Sequence, residues 1–254
     1  MPNNRKLIVG NWKLNPGTLD EAKKIAHKTR LTVAKLKRTE AVICPPAPFI
    51  SACAPKKRAP KFSVGVQSVS IYENGAHTGE ISAKMVRSVG ASFVIAGHSE
   101  ERENGDTDEI VSKKVARILE AGLIPILCVG EKIRDDSGEY METLKAQIKN
   151  SLAGVTQADG KKIIIAYEPI WAIGAKEAMT PALIHETTIF VRKTFADMFG
   201  SDAGLKVKVL YGGAVNYRNA SDIITIGKVD GLLVGRESVN ATGFVELLKT
   251  VDHI

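Results

Sequence analysis

Short segments spread along the chain carry residue types that can move a proton beside a carbonyl group of an anionic substrate. Asn11 and Lys13 provide an amide and a cation, His98 provides an imidazole, and Glu168 provides a carboxylate. A carboxylate can remove the proton, an imidazole can polarise the carbonyl oxygen, and a lysine can stabilise the developing negative charge. The turn Gly212-Gly213 adds backbone N–H groups of the kind that hold anions.

Each of these residues also has an ordinary structural explanation. An isolated His98 is commonly a core histidine bonded to a carbonyl group, Glu168 a surface ion-pair residue, and Lys13 a solvated cation. Ser99 follows His98, but the segment 97–101 lacks the final glycine of a nucleophile elbow, so we expect Ser99 to cap a helix. The chemical interpretation therefore depends on the elements that carry these residues and on whether they meet at one face.

The sequence alternates between short apolar runs and stretches with helical periodicity. Several runs, such as Ile163-Ile164-Ile165-Ala166, are apolar without alternation, which is typical of parallel strands buried on both faces. Apolar residues recur at helical spacing in the stretches 18–38, 108–121 and 181–199, with Thr18 as a candidate N-cap. The predicted strands are 7–10, 41–44, 63–67, 93–97, 124–129, 163–167, 207–211 and 231–235.

This alternation fits either a closed α/β barrel or a doubly wound open sheet. Eight strand–helix units within about 250 residues favour a single (β/α)8 barrel domain over residues 1–254, with eight parallel strands ringed by helices. The site should then lie at the C-terminal ends of the strands. The candidate residues follow strands 1, 4, 6, 7 and 8 directly, so one barrel mouth collects them all.

Composition and charge limit the possible partners. The chain of 254 residues is 44% hydrophobic and 25% charged, which is ordinary for a globular protein and argues against a membrane-spanning or disordered one. The first apolar run is too short for a signal peptide, and three cysteines without CxxC spacing favour reduced thiols and a cytoplasmic location. The net charge is +7, but the longest basic run, Lys56-Lys57-Arg58, has no interleaved aromatic residues, so we expect no nucleic-acid partner. The dispersed histidines predict no metal site: His27, His77, His98, His185 and His253.

At these residues the sequence resembles the triosephosphate isomerase family along nearly its whole length. The string Glu168-Pro169-Ile170-Trp171-Ala172-Ile173-Gly174 is the most specific match, because it resembles the family's signature around the base and the mobile lid. The other matching motifs are Gly10-Asn11-Trp12-Lys13, Thr78-Gly79-Glu80-Ile81-Ser82, Ala96-Gly97-His98-Ser99-Glu100, Leu127-Cys128-Val129-Gly130-Glu131 and Tyr211-Gly212-Gly213.

The resemblance implies a cofactor-free aldose–ketose isomerase of glycolysis and gluconeogenesis that acts on triose phosphates as a homodimer. Glu168 would be the base, neutral His98 the electrophile, and Lys13 and Asn11 would stabilise the enediolate. Ile173 and Leu233 would press on Glu168 when the lid closes. The resemblance assigns phosphate binding to Gly174, Gly213, Ala214, Gly235 and Arg236. It assigns the lid to Pro169, Ile170, Trp171, Ala172, Ile173, Ala175 and Lys176, and the subunit interface to Thr78 and Glu100.

The sequence departs from the usual family pattern where the phosphate is expected to bind. Ala214 stands where the family usually has Ser, and Arg236 where a second Gly is usual. The end of the lid reads Ala175-Lys176-Glu177 in place of Thr-Gly-Lys, and Glu101 stands where an Arg is frequent. Three hypotheses stay open: an active isomerase, a barrel that binds phosphate or partner proteins with little turnover, and an isomerase of another phosphorylated substrate.

Overall fold

Eight parallel strands close into a barrel. The computed structural model describes residues 5–57, 59–174 and 178–254, and within them each strand pairs with the next while β8 pairs with β1. This confirms the predicted (β/α)8 barrel and rules out the open sheet. The strands are β1 (Lys6–Asn11), β2 (Thr39–Cys44), β3 (Phe62–Val66), β4 (Phe93–Ala96), β5 (Ile124–Val129), β6 (Ile164–Tyr167), β7 (Lys208–Tyr211) and β8 (Gly231–Val234).

Helices connect the strands on the outside of the barrel. Thr18 accepts a hydrogen bond from the N–H of Glu21 and caps the first helix, as predicted, although that helix ends at Lys35 and not near Arg38. The described helices are α1 (Leu19–Lys35), α2 (Ile50–Cys53), α3 (Ala83–Ser88), α4 (Ser99–Glu103), α5 (Asp108–Glu120), α6 (Glu139–Ser151), α7 (Gln157–Gly160), α8 (Pro181–Phe199), α9 (Ser201–Lys206), α10 (Ala220–Thr225) and α11 (Ala241–Asp252). None of these helices has the length and apolar character that crossing a membrane requires.

The strands are buried on both faces, which explains why their sequences do not alternate. One face contributes a cluster inside the barrel that includes Val9, Cys44, Ile126 and Cys128. The other face packs against the helices in a second, larger cluster. Gly231 is required where β8 meets β1, because a Cβ atom there would lie 1.8 Å from the carbonyl oxygen of Leu7. The barrel therefore closes tightly and holds the C-terminal strand ends in fixed relative positions.

Candidate active site

Glu168 lies directly after β6 at the barrel mouth and is buried, with a relative exposure of 3%. Its N–H donates to the carbonyl oxygen of Val129 at 2.8 Å, which continues the strand pairing by one residue. Two glycines make room for it. A Cβ atom on Gly130 would lie 1.8 Å from the carbonyl oxygen of Glu168, and one on Gly212 would lie 2.7 Å from its Cγ. The ends of β5 and β7 thus fix the direction in which the carboxylate points.

His98 lies between β4 and α4, with its side chain directed at Glu168. Its Nε2 is 3.2 Å from Oε1 of Glu168, and its Nδ1 accepts a hydrogen bond from the N–H of Glu100 at 3.2 Å. His98 is therefore the N-cap of α4, and the prediction that Ser99 caps this helix is wrong; Ser99 is the first helical residue. An imidazole can take the place of a hydroxyl because Nδ1 reaches the same free backbone N–H groups. With Nδ1 as acceptor, the ring proton lies on Nε2 and faces the carboxylate.

Two opposing effects act on the pKa of His98. Burial of the ring lowers it and the Lys13 cation adds to this, whereas the charge and hydrogen bond of the adjacent Glu168 carboxylate raise it by more, with a smaller rise from Glu100. The pKa of His98 consequently lies above its ordinary value of 6.5 in this arrangement. That direction runs against the neutral His98 that the resemblance implies, whereas the N–H of Glu100 on Nδ1 favours the neutral ring.

Lys13 is held at the mouth in an unusual backbone conformation. Its φ is +52°, in the left-handed region that non-glycine residues rarely adopt. Asn11, the last residue of β1, accepts a hydrogen bond from the Lys13 N–H at 3.1 Å. The Gln67 amide donates to the carbonyl oxygens of Lys13 and Cys44 at 2.8 and 2.9 Å. The Nζ atom of Lys13 lies 2.5 Å from Oε1 of Glu100. Such strain persists only where the surroundings impose it, and it is common at functional sites.

A cavity of about 610 Å³, the active-site cavity, opens at the C-terminal strand ends. It brings together most of the predicted site: Asn11, Lys13, His98, Glu168, Ile173, Gly174, Gly213, Ala214, Gly235 and Arg236. Leu233 and Glu237 also line it. Within the described ranges, no three histidine, cysteine, aspartate or glutamate side chains lie close enough to hold a metal ion.

Some of the predicted residues lie elsewhere. Thr78 is exposed in the segment after β3, and Glu100, predicted at a subunit interface, pairs with Lys13 of its own chain. The lid residues Ala175 and Lys176, like Glu177, lie outside the described residues.

Unpaired backbone N–H groups point to an anion-binding region within the active-site cavity. The N–H groups of Gly213, Ala214 and Arg236 have no acceptor in the described part of the chain. A 3-10 helix, Arg236–Ser238, begins at this point, and the Ser238 hydroxyl donates to the carbonyl oxygen of Gly235 at 2.7 Å. Arg236 does not adopt a positive φ, so the arginine fits here without backbone strain. Unpaired backbone N–H groups on the wall of one cavity can bind phosphate and carboxylate groups.

Trp171 within the predicted lid, and Met179 after it, are hydrogen-bonded to barrel residues that the sequence analysis did not single out. The indole Nε1 of Trp171 and the hydroxyl of Tyr167 each donate to Oε1 of Glu131 at 2.9 Å. After the lid, the N–H of Met179 donates to the hydroxyl of Tyr211 at 3.1 Å. Burial raises the pKa of Tyr211 to about 12, so this hydroxyl stays protonated. Glu131 and Tyr211 stand inside quoted motifs, but only the barrel brings them to the lid.

The chain matches the family model described as triosephosphate isomerase over residues 6–251. A triosephosphate isomerase of Fusobacterium nucleatum subsp. nucleatum is 37% identical over 247 residues, which cover 96% of this chain and 98% of the relative. The chain belongs to the triosephosphate isomerase family. The family's protein from Thermus thermophilus is 36% identical over 253 residues, with coverage of 96% and 98%. The crystal structure of triosephosphate isomerase from Bartonella henselae superposes with a TM-score of 0.85 at 33% identity, covering 97% of this chain and 98% of that one.

Two of the departures from the usual pattern of the triosephosphate isomerase family line the active-site cavity, while the departure at 175–177 lies outside the described residues. Ala214 and Arg236 both line the cavity, next to Gly213 and Gly235. Alanine offers no hydroxyl, whereas arginine brings a cation to the same wall. Glu101 lies away from this wall and accepts a bond from Lys114 at 3.4 Å. The residues predicted to transfer the proton match the family motifs, so Ala214 and Arg236 alter only the wall that carries the unpaired backbone N–H groups.

Proposed function

We propose that this chain interconverts dihydroxyacetone phosphate and D-glyceraldehyde 3-phosphate by proton transfer through an enediolate. The observation that carries the proposal is the buried Glu168 carboxylate, 3.2 Å from His98 Nε2, in the cavity that Lys13 also lines. Family membership along residues 6–251 supports the same reaction.

In this reaction Glu168 acts as the base. Its carboxylate removes a proton from the carbon beside the carbonyl group, and the electron pair of that C–H bond moves to form the enediolate. The protonated Glu168 then returns the proton to the neighbouring carbon, so no electrons leave the substrate and no redox cofactor is required. General-base catalysis of this kind contributes about 10²- to 10⁴-fold to a rate.

His98 acts as the electrophile, and its Nε2 N–H donates to the carbonyl oxygen. Proton exchange at Nε2 moves the hydroxyl proton from the neighbouring oxygen to the former carbonyl oxygen, so that the carbonyl and the hydroxyl exchange places. A substrate oxygen between His98 and Glu168 separates the two groups and weakens the effect that raises the pKa of His98. Burial, which lowers that pKa, then dominates and favours the neutral ring. Lys13 and Asn11 stabilise negative charge on the enediolate oxygens.

The substrate phosphate is held by backbone N–H groups and by one cation. Gly174, Gly213 and Gly235 line the active-site cavity together with Ala214 and Arg236, and the free N–H groups nearby supply hydrogen bonds. The guanidinium of Arg236 can add a charge-assisted hydrogen bond in place of the hydroxyl that Ala214 lacks. The lid, with Trp171 and Met179 bonded at its two sides, closes over the site and excludes water, which limits loss of phosphate from the enediolate.

A coupled assay tests the proposal directly. D-glyceraldehyde 3-phosphate is supplied, and the dihydroxyacetone phosphate formed is reduced by glycerol 3-phosphate dehydrogenase while NADH absorbance is followed. We expect turnover with the purified chain and its loss in Glu168→Gln. A chain that binds inorganic phosphate but gives no turnover would be the low-activity binding protein and would refute the proposal.

We also propose that the chain is a single domain and works as a homodimer in the cytoplasm. One barrel uses all eight strands, which supports a single domain over residues 1–254. Leu14, beside Lys13, is 96% exposed, and Ile81 and Met85 expose large apolar side chains near the segment that carries Thr78. A second copy covering these side chains would bring its Thr78 towards Asn11 and Lys13. Three free cysteines support a reducing compartment, in keeping with a role in glycolysis and gluconeogenesis.

A further inference from the structure

Glu237 lines the active-site cavity, yet its carboxylate packs against a helix. A Cβ atom built on Gly243, in the first turn of α11, would lie 1.4 Å from Oε1 of Glu237 and 2.6 Å from its Cδ. The carboxylate therefore occupies the space that any other residue at position 243 would need for its side chain. We call this space the Gly243 seat.

The Gly243 seat lies at a helix end that favours negative charge. Asn240 is the N-cap of α11, and its Oδ1 accepts hydrogen bonds from the N–H groups of Thr242 and Gly243 at 3.2 and 3.1 Å. The positive end of the helix dipole stabilises a carboxylate in the first turn. If Glu237 instead turned into the cavity, its charge would repel the anionic group of the substrate.

The backbone next to Glu237 carries the anion-binding groups. Glu237 is the central residue of the 3-10 helix Arg236–Ser238, whose preceding residue is Gly235. Ser238 is fully buried, and its N–H donates to the carbonyl oxygen of Gly235 at 2.9 Å. Because Glu237 lies between Arg236 and Ser238 in the chain, the position of its carboxylate bears on the direction of the Arg236 N–H and of the Arg236 side chain.

We propose that Glu237 is a positioning residue of the anion-binding region. Its carboxylate in the Gly243 seat holds the segment 235–238 at the cavity wall and keeps its own charge away from the bound phosphate. The inference rests on the proposed function in one respect, namely that the bound anion is the substrate phosphate. The reaction itself assigns no role to the pair Glu237 and Gly243.

A double-mutant cycle tests the pair. Gly243→Ala fills the seat and displaces the carboxylate, so we expect the dissociation constant of inorganic phosphate and the KM for glyceraldehyde 3-phosphate to rise about two- to fivefold, with little change in kcat. Glu237→Ala should raise both constants similarly, because the segment loses its attachment. When Glu237→Ala is already present, Gly243→Ala should change neither constant, because the overlap with the carboxylate is gone and the next atom, Nδ2 of Asn240, lies 3.3 Å from the added methyl group.

Thermal unfolding gives a second readout, because the effect of Gly243→Ala on Tm should have opposite signs in the two backgrounds. Alanine is the better helix former, so Gly243→Ala should raise Tm in the Glu237→Ala background and lower it in the otherwise native chain. Glu246→Ala, which removes an exposed carboxylate from the same helix, is the control and should leave phosphate binding unchanged.

Three outcomes would overturn the inference. These are equal effects of Gly243→Ala in both backgrounds, a fall in kcat with KM unaltered, and tighter phosphate binding by Glu237→Ala. Phosphate binding is measured without turnover, so absence of isomerase activity in the native chain would refute the proposed function and leave this test intact.

Discussion

Glu168 can lose its charge without a change in volume, because Gln has nearly the same shape. In Glu168→Gln the proposed base is removed, while Gly130 still leaves room for the backbone of residue 168 and Gly212 for its side chain. We expect kcat to fall by about two to four orders of magnitude, as for other lost general bases, with an unchanged circular dichroism spectrum. The coupled assay measures the loss, and Glu103→Gln, an exposed glutamate on α4, is the control. Activity within about tenfold of the native chain would contradict the assignment of the base.

The same substitution tests the electrostatics of His98. Without the Glu168 charge, burial determines the shift, so the pKa of His98 should fall below its value in the native chain. In the native chain that pKa is raised above 6.5, so the pair contributes stability fully at pH values below the unfolded pKa. This contribution is lost as the pH rises through the folded pKa.

Two measurements check this prediction. An NMR titration of the imidazole C–H signals gives the pKa in both proteins. Urea unfolding at several pH values should show that the free energy of unfolding of the native chain, relative to Glu168→Gln, declines across that window. Equal pKa values in the two proteins would show that Glu168 does not govern His98.

At the scale of elements, the segments at the two sides of the proposed lid are hydrogen-bonded to residues at strand ends that are distant in sequence. Tyr211→Phe removes the hydroxyl that accepts the Met179 N–H and leaves the ring in place. We expect a less tightly closed lid, a lower kcat, and a larger fraction of turnovers that release inorganic phosphate, because water reaches the enediolate. Tyr217→Phe removes the hydroxyl of an exposed tyrosine and is the matched control. If phosphate release were the same in both variants, the bond between Met179 and Tyr211 would have no part in closure.

The sequence predicted the elements well because their signals are local. Unbroken apolar runs predicted the strands to within a few residues. Apolar residues at helical spacing over 181–199 predicted α8 over its whole length. The sequence predicted Ser99 as the cap of α4 because serine is a common N-cap residue. In the structure the helix begins at Ser99, and Nδ1 of His98, one residue earlier, accepts the N–H of Glu100. Glu131 was missed because its partners, Tyr167 and Trp171, belong to the next strand and loop, and only the closed barrel brings them together.

At the scale of the whole molecule, exposed apolar side chains bear on the state of assembly. Covering Leu14 and Met85 would remove apolar area from water, the main favourable contribution to most subunit association. We expect sedimentation velocity to give twice the 27.4 kDa chain mass at micromolar concentration. A double variant, Leu14→Glu with Met85→Glu, should shift the protein to monomers, whereas Leu205→Glu, at an exposed position on α9, should not. A fully active native monomer would exclude the homodimer.

The left-handed backbone of Lys13 makes stability and chemistry favour different amino acids at position 13. Glycine adopts a φ of +52° freely, whereas lysine does so at a cost of about 1–3 kcal/mol. The partly exposed ion pair of Lys13 with Glu100 stabilises the folded chain by only about 0–1 kcal/mol. A library of variants sorted only for resistance to heat should therefore enrich glycine at position 13, and with it chains that have lost the cation of the site. Heat resistance and turnover would have to be screened together, because at this residue they demand opposite amino acids.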